Sequence, residues 1–441
     1  MATTKLSRTI GTPTSGTKFT ISAWVKGSMA EGRILTSING NSSQTWVELQ
    51  NSGAFRIANY VGSYNMQLIT TRLFRDPSAW YNFVIAFDTT QVTDTNRVKL
   101  YVNGVQETSF STTTYPSQNL VLKYGVSGQT FNVGAKDTDT YWNGLMSHVH
   151  FIDGLQYAAS DFGSVDSTSG IWTINTSPSV TYGNNGFFIL KDGNSVTDQS
   201  GNSNNFTVGG GTLTNTEDCP DNVFCTINPL DNYWQGSTFA NGNNTVTTGS
   251  NSRTYNTTSF MMATGKFYAE CKVISGAAGN QIGVGSNLTA SVSASLGTGG
   301  EGFVYKENGY YETGGSAVSF GDAYVNGDII GVALDVTSAT PQLYFSKNGV
   351  FQGSGNPSAG TGGKSITAVA STTIGAYFFG FCDTATDNTR VHGWNFGNGY
   401  FATTAVTTNS GNGYAGAEGK SIFNYQPPNL YSALSTKGLN L

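Results

Sequence analysis

The sequence predicts an all-β protein made of two antiparallel β-sandwiches joined by a connector rich in Gly, Asn and Ser. Three observations predict it. Short runs of Thr, Val, Ile, Phe and Tyr alternate with polar residues and are separated at close intervals by Gly, Asn, Asp and Ser, the pattern of a multi-stranded sandwich or barrel. No helical period of useful length occurs, and the best candidate for a helical turn is the brief stretch Tyr157 to Phe162. A strand–turn–strand unit ending in Asn-Gly occurs twice, about 245 residues apart, which argues for two domains of one architecture and against a short-period solenoid.

In chain order, residues 1–160 open with strand-like runs at Phe19–Val25 (FTISAWV) and Lys99–Val102 (KLYV). Phe83–Phe87 (FVIAF), Ile329–Leu334 (IIGVAL) and Ala376–Phe381 (AYFFGF) are apolar on both faces, so each is expected mid-sheet with cover on both sides. Trp80–Asp88 (WYNFVIAFD) leads through a turn to Leu100–Gln106 (LYVNGVQ), and Gly327–Asp335 (GDIIGVALD) leads likewise to Leu343–Gln352 (LYFSKNGVFQ). Asn-Gly accepts φ > 0 at both central positions of a two-residue hairpin, so Asn103-Gly104 and Asn348-Gly349 are each expected to close one. Between the repeats, Asp161 to Asp231 reads as a connector with short strands, leaving residues 232–441 for the second sandwich.

Composition excludes several classes. Charged residues make up 11% of the chain, against about 25% in an ordinary domain, so Ser, Thr, Asn and Gly must keep the surface wet. With 38% hydrophobic and 12% aromatic residues the chain is not a disordered one. Twenty-two Lys and Arg against 27 Asp and Glu give a net charge of −5 without a basic run, which argues against nucleic-acid binding. Met1 to Lys18 lacks the apolar stretch of a signal peptide, and no run is long enough to span a bilayer, so neither export nor membrane insertion is expected. Cys219, Cys225, Cys271 and Cys382 make no Cys-x-x-Cys pair. Cys271 and Cys382 read as buried thiols. Cys219 and Cys225 read most simply as reduced thiols of a protein made in a reducing cytoplasm, with a bridge between them left open.

The first 155 or so residues resemble laminin-G-like, concanavalin-A-like sandwiches, through Phe19–Val25, Trp80–Asp88, Leu100–Val105 and Tyr141–Phe151 (YWNGLMSHVHF). The second half resembles SPRY domains, through Gly265–Glu270 (GKFYAE), Ile282–Gly285 (IGVG), Gly327–Asp335, Leu343–Gly349 and Trp394–Gly397 (WNFG). Two concanavalin-like/SPRY-type antiparallel β-sandwiches are therefore implied. Their joined order, with Asp198–Asn202 (DQSGN) and Phe224–Leu230 (FCTINPL) between and Phe423–Pro428 (FNYQPP) after, is similar to virion proteins encoded by tailed bacteriophages.

Chemistry is sparse. Glycosidases need two converging carboxylates, but Glu48, Glu270, Glu301, Glu307 and Glu312 stand singly, and the adjacent Glu217-Asp218 pair faces opposite ways on an extended chain. With three histidines a Ser/His/acid triad has little material. The Gly-rich stretches at 209–211, 297–302 and 360–363 lack the Lys-Ser/Thr of a phosphate loop. His148 and His150, two residues apart, share one strand face and read as a polar outer face sooner than as zinc ligands. The concanavalin-like resemblance implies Ca²⁺ on loops as the one metal to consider, with Asp137, Asp139 and Asp153 as hard-oxygen donors; otherwise no cofactor is expected. The SPRY resemblance places Tyr305, Tyr310, Tyr311 and Tyr324 where that family presents its ligand surface, and such rings would stack on sugars or pack a partner.

The expected function is that of a non-catalytic virion surface protein, a short tail appendage or fibre or a head decoration, made in the host cytoplasm. It would bind host-surface polysaccharide or stabilise the coat, beside other virion proteins, and the resemblance implies a homo-oligomer, taken as a trimer. The alternatives are a tail depolymerase of polysaccharide and an intracellular protein-interaction module.

Overall fold

The computed structural model describes residues 3–440 apart from 28–29, 192–194, 232–235, 250–253, 277, 288–294, 385–388 and 407–412. The chain divides into two units between Asn215 and Thr216. Both are β-sandwiches, and the described helical residues are single 3₁₀ turns. One of these is Ala159–Asp161, inside the stretch expected to turn, where the Asp161 carboxylate accepts from the Ala158 N–H at 2.9 Å.

In the first unit one sheet runs Phe110–Thr114, Tyr64–Leu73, Ala54–Val61, Ser43–Leu49, Gly32–Ile38, Thr130–Val133, Lys5–Thr9 and Thr207–Gly210. The other runs Phe187–Ile189, Gly144–Asp153, Lys18–Gly27, Tyr81–Asp88, Val98–Val102 and Val105–Glu107. Alternating residues such as Phe19, Ile21, Val47, Ile57, Leu68, Phe83, Ile85 and Phe151 meet between the sheets in one core, with Phe55 stacked on Phe83 at 4.2 Å between centroids. Tyr81–Asp88 is buried almost throughout because its outer face is covered as well: Val84 and Ile152 pack against Ala159 and Phe162.

In the second unit the larger sheet contains Thr238–Ala240, Thr245–Thr247, Val391–Asn395, Lys266–Ser275, Ile329–Asp335, Gln342–Lys347 and Val350–Phe351 in that order. The smaller runs Thr254–Thr257, Phe378–Asp383, Asn280–Gly285, Gly302–Lys306, Tyr310–Thr313 and Ser316–Ser319. Ser432–Ala433 adds a parallel pairing on Phe267–Tyr268. The strands read as apolar on both faces, Ile329–Asp335 and Phe378–Asp383, have neighbours on both sides.

Residues 161–231 join both sandwiches. Phe187–Ile189 and Thr207–Gly210 are edge strands of the two sheets of the first unit, and Phe187, Ile189 and Phe206 enter its core. Phe224, Cys225 and Ile227 are buried in the second unit. Both Asn-Gly hairpins form, with φ of 47° and 80° at Asn103-Gly104 and 50° and 83° at Asn348-Gly349. All four cysteines are thiols.

Candidate functional site

Three of the four SPRY-region tyrosines are core residues, which corrects the reading of them as a ligand surface. Tyr305, Tyr311 and Tyr324 are 0%, 7% and 1% exposed. Tyr305 donates its hydroxyl to the Asp322 carbonyl, and its ring lies 5.4 Å from that of Tyr324; burial pushes the Tyr305 hydroxyl up to about 12. Tyr310 alone points outward, at 41% exposure, because adjacent strand residues face opposite sides. Leu296, from the loop before Gly302–Lys306, covers Val304 on the other face of that strand, so the strand is closed on both sides.

The three aspartates proposed for calcium do not converge, and among the described residues no group of three or more His, Cys, Asp or Glu is placed to hold a metal. Asp137 pairs with Lys5 at 2.7 Å, and Asp139 with Lys136 at 3.4 Å. Asp153 is buried and spends its oxygens on the backbone N–H groups of Thr14, Ser15 and Asn185, at 2.8, 3.2 and 3.1 Å. Asp153 is therefore a loop fastener. The histidines also depart from expectation: His148 and His150 are 8% and 2% exposed, not a polar outer face. The pairing of Gly144–Asp153 with Lys18–Gly27 slips between Ser147 and His150, with His148 at φ 48°. Yet both rings lie against Phe188, at 5.6 and 3.9 Å between centroids, so they share one side of the strand and that side is covered.

What covers these histidines also lines a concave feature of the first unit. His150 stacks on Phe188 at 3.9 Å between centroids, and its Nδ1 lies 2.9 Å from the Tyr182 hydroxyl. Burial holds the His150 imidazole well below its usual range, with His148 and Lys191 adding to the effect, so the ring is neutral. Above these rings lies a surface pocket of about 340 Å³, with Phe188 and Tyr182 at one side and Lys191, Gln199, Ser200, Ser177 and Ser179 among its walls. The Lys191 ammonium sits 5.7 Å from the Phe188 ring centroid. An aromatic face, hydroxyls, an amide and one ammonium are the groups that hold a sugar: the ring packs the C–H face and the polar groups read the hydroxyls. No spacing in the sequence signals this pocket, since it joins three separate segments, residues 177–182, 188–191 and 199–200.

The buried carboxylates are engaged elsewhere. On the outer face of the larger sheet of the first unit, Glu48 lies between Arg33, at 3.1 Å, and Arg56, while the Arg33 guanidinium stacks 4.2 Å from the Trp46 ring centroid. Burial pushes the Glu48 carboxyl up, opposed by both arginines. In the second unit the fully buried Glu270 accepts from the N–H groups of Asn424 and Tyr425 at 2.8 Å each and from Asn395 Nδ2 at 3.1 Å. Burial raises it to about 7 against the pull of those donors. It fastens residues 424–425 to the sheet.

Residues 4–159 match the family model described as the concanavalin A-like lectin/glucanases superfamily, a laminin G type. That stretch of the first unit is thus similar to concanavalin A-like domains. It ends before the pocket walls begin. Among solved structures the chain is similar to the SPRY domain of human HERC1, at 16% identity over 38% of this chain and 96% of that one, with a TM-score of 0.29. It is similar to a heptameric SAP-like pentraxin from Limulus polyphemus, at 15% over 35% and 72%, TM-score 0.27, and to a human SPRY domain, at 15% over 34% and 90%, TM-score 0.27. No curated protein matches the chain. Among the described residues no helix is long and apolar enough to cross a membrane.

Proposed function

We propose that the chain is a non-catalytic binding protein of a bacteriophage particle surface, whose first unit holds host-surface glycan in the pocket beside Phe188. The pocket carries the reading: it is open, largely polar and backed by an aromatic ring, and among the described residues no carboxylate lines it, so these residues offer binding groups without the paired acids of a glycosidase. The engagement of Glu48 and Glu270 by structural donors supports the non-catalytic part. A surface wetted by Ser, Thr and Asn suits a particle exposed to changing salt, because it does not depend on screened charge pairs. In that setting the chain assembles as a homo-oligomer with other virion proteins.

The test is incubation of the purified chain with the polysaccharide of a host cell surface. Retention of the polysaccharide without new reducing ends is the expected result. Release of reducing ends would establish a depolymerase instead, and absence of both would leave a coat role or a protein-binding module.

A further inference from the structure

We infer that the Phe188 pocket selects an acidic saccharide, with the Lys191 ammonium reading a sugar carboxylate while the Phe188 ring packs against the sugar. This rests on the glycan-binding reading and names the ligand class of the same pocket.

The argument is a balance of local charge. Besides Lys191, the ionisable groups among the described residues at or under the pocket include His148, His150, Tyr182, Asp198 and Arg8. His150 is buried and neutral. Asp198 is buried, and its carboxylate accepts from Phe188 N at 2.8 Å, Ser200 N at 2.9 Å, Ser200 Oγ at 2.7 Å and Asn204 N at 2.8 Å. The Arg8 guanidinium, fixed on Asn204 Oδ1 at 2.6 Å and the Asn185 carbonyl at 3.2 Å, interacts with Asp198 and offsets its charge. Lys191 has no carboxylate oxygen within 4.0 Å among the described residues; Asp192, next in the chain, lies outside them. The remaining walls, from Ser177, Ser179, Gln199 and Ser200, are neutral donors and acceptors. Among the described residues the site thus presents one cation without a paired carboxylate, in a chain of net charge −5, and such a site favours an anion that also presents hydroxyls. The volume of about 340 Å³ lies at the small end of the usual ~300–1,000 Å³ range for small-molecule sites, which fits a carboxylated sugar unit better than a long chain lying flat.

The test uses titration calorimetry on the full chain with an α-1,4-linked oligogalacturonate and with the same oligomer methyl-esterified at its carboxyls. At low salt the acid form is expected to bind about tenfold more tightly than the ester, and the gap is expected to narrow as salt shortens the screening length to about 3 Å near 1 M. Lys191→Gln should bind both forms equally, and Lys191→Arg should keep the preference; the half-exposed position leaves folding intact, checked by circular dichroism. Equal binding of the two forms by the unaltered chain overturns acid selection while leaving glycan binding in place. A preference that survives Lys191→Gln places the charge elsewhere and also overturns it. Binding of neither form defeats both the pocket as a glycan site and its acid selectivity.

Discussion

In each unit the first long strand begins with a lysine that stands opposite an aspartate at the end of the next strand: Lys18 faces Asp88, and Lys266 faces Asp335. Each aspartate then accepts from the N–H and hydroxyl of the threonine two residues on, Thr90 at 3.1 and 2.5 Å and Thr337 at 3.0 and 2.6 Å. Each following hairpin turns on Asn-Gly, and each turn asparagine exchanges two hydrogen bonds with the preceding strand. Asn103 does so with Asn82, at 2.9 Å through its N–H and 2.8 Å through Oδ1; Asn348 does so with Ile329, at 2.8 and 2.9 Å. Each turn glycine lies under an aromatic ring, Trp172 over Gly104 and Tyr425 over Gly349. The strand-and-turn chemistry is the same, while the covering rings come from unrelated segments: a hairpin at Gly163–Val165 and Trp172–Ile174 in the first unit, and the Glu270-fastened stretch in the second. The shared parts are those a sandwich needs to pair its strands. The parts that differ cover the outer faces, and the pocket belongs to that differing layer.

The largest expected effect appears in acid. His150 in the first unit keeps a hydrogen bond to Tyr182, whereas among the described residues neither ring nitrogen of the fully buried His392 in the second has a partner. Burial, reinforced by Arg390, holds His392 down to about 3. The unfolded chain takes up that proton near 6.5, so the unfolded state binds more protons between those values. Stability is therefore complete above about pH 6.5 and declines as pH falls toward 3, by roughly 4–5 kcal/mol if carried through. Burial also holds His150 in the first unit well below its usual range, so both units should lose stability as pH falls. In hydrogen exchange read peptide by peptide, His392→Leu should flatten that decline in the second unit alone. An unchanged acid response in His392→Leu would remove the histidine from the account.

Next in size are the two glycines. A Cβ at Gly104 would sit 2.4 Å from Trp172 Cζ3, and one at Gly349 would sit 2.5 Å from Tyr425 Cδ1. Left-handed backbone costs a side chain about 1–2 kcal/mol and overpacking about 1–3 kcal/mol. Gly104→Ala and Gly349→Ala should thus each cost about 2–4 kcal/mol in urea denaturation. If the ring is the obstacle, adding Trp172→Ala to Gly104→Ala, or Tyr425→Ala to Gly349→Ala, should cost less than the two single changes together. Strict additivity in one unit and not the other would break the equivalence of the two turns.

The paired hairpins and the doubly buried strands were legible in the sequence because they rest on local rules: φ > 0 at Asn-Gly, and apolar residues on both faces. The outer layer was not. Whether Tyr305 is exposed depends on Phe320, Tyr324 and Phe345 packing its ring, contacts that no periodicity encodes. His148 and His150 share one side of their strand, but their burial under Phe188, Phe162 and Tyr182 depends on covering segments that alternation does not reveal. The pocket was invisible for a related reason. Its walls are turns of the stretch 161–231, where Gly, Asn and Ser signal a loop but not which sheet the loop will cover.

The smallest effect comes from the lysine–aspartate pairs, and it is the most sensitive test of whether the two units use them alike. The Lys266 to Asp335 separation is 2.8 Å with side chains 25% and 14% exposed, while Lys18 to Asp88 is 3.4 Å with 41% and 6%. Burial pushes both aspartates up, but the donated hydrogen bonds and the lysine outweigh it, and both lie below the usual carboxylate range. A depressed folded value means stability that is present above the unfolded value near 4 and is lost as pH falls through the folded one. Lys266→Met should cost about 0.5–1 kcal/mol and Lys18→Met less, because solvent and salt weaken the more exposed pair. The two losses should converge at high salt. In both units the threonine bonds should then remain the main restraint on the aspartate, so Asp335→Ala should cost more than Lys266→Met, and Asp88→Ala more than Lys18→Met. A lysine change as costly as its aspartate change would show that the ion pair, and not the turn, is what the repeated Asp serves.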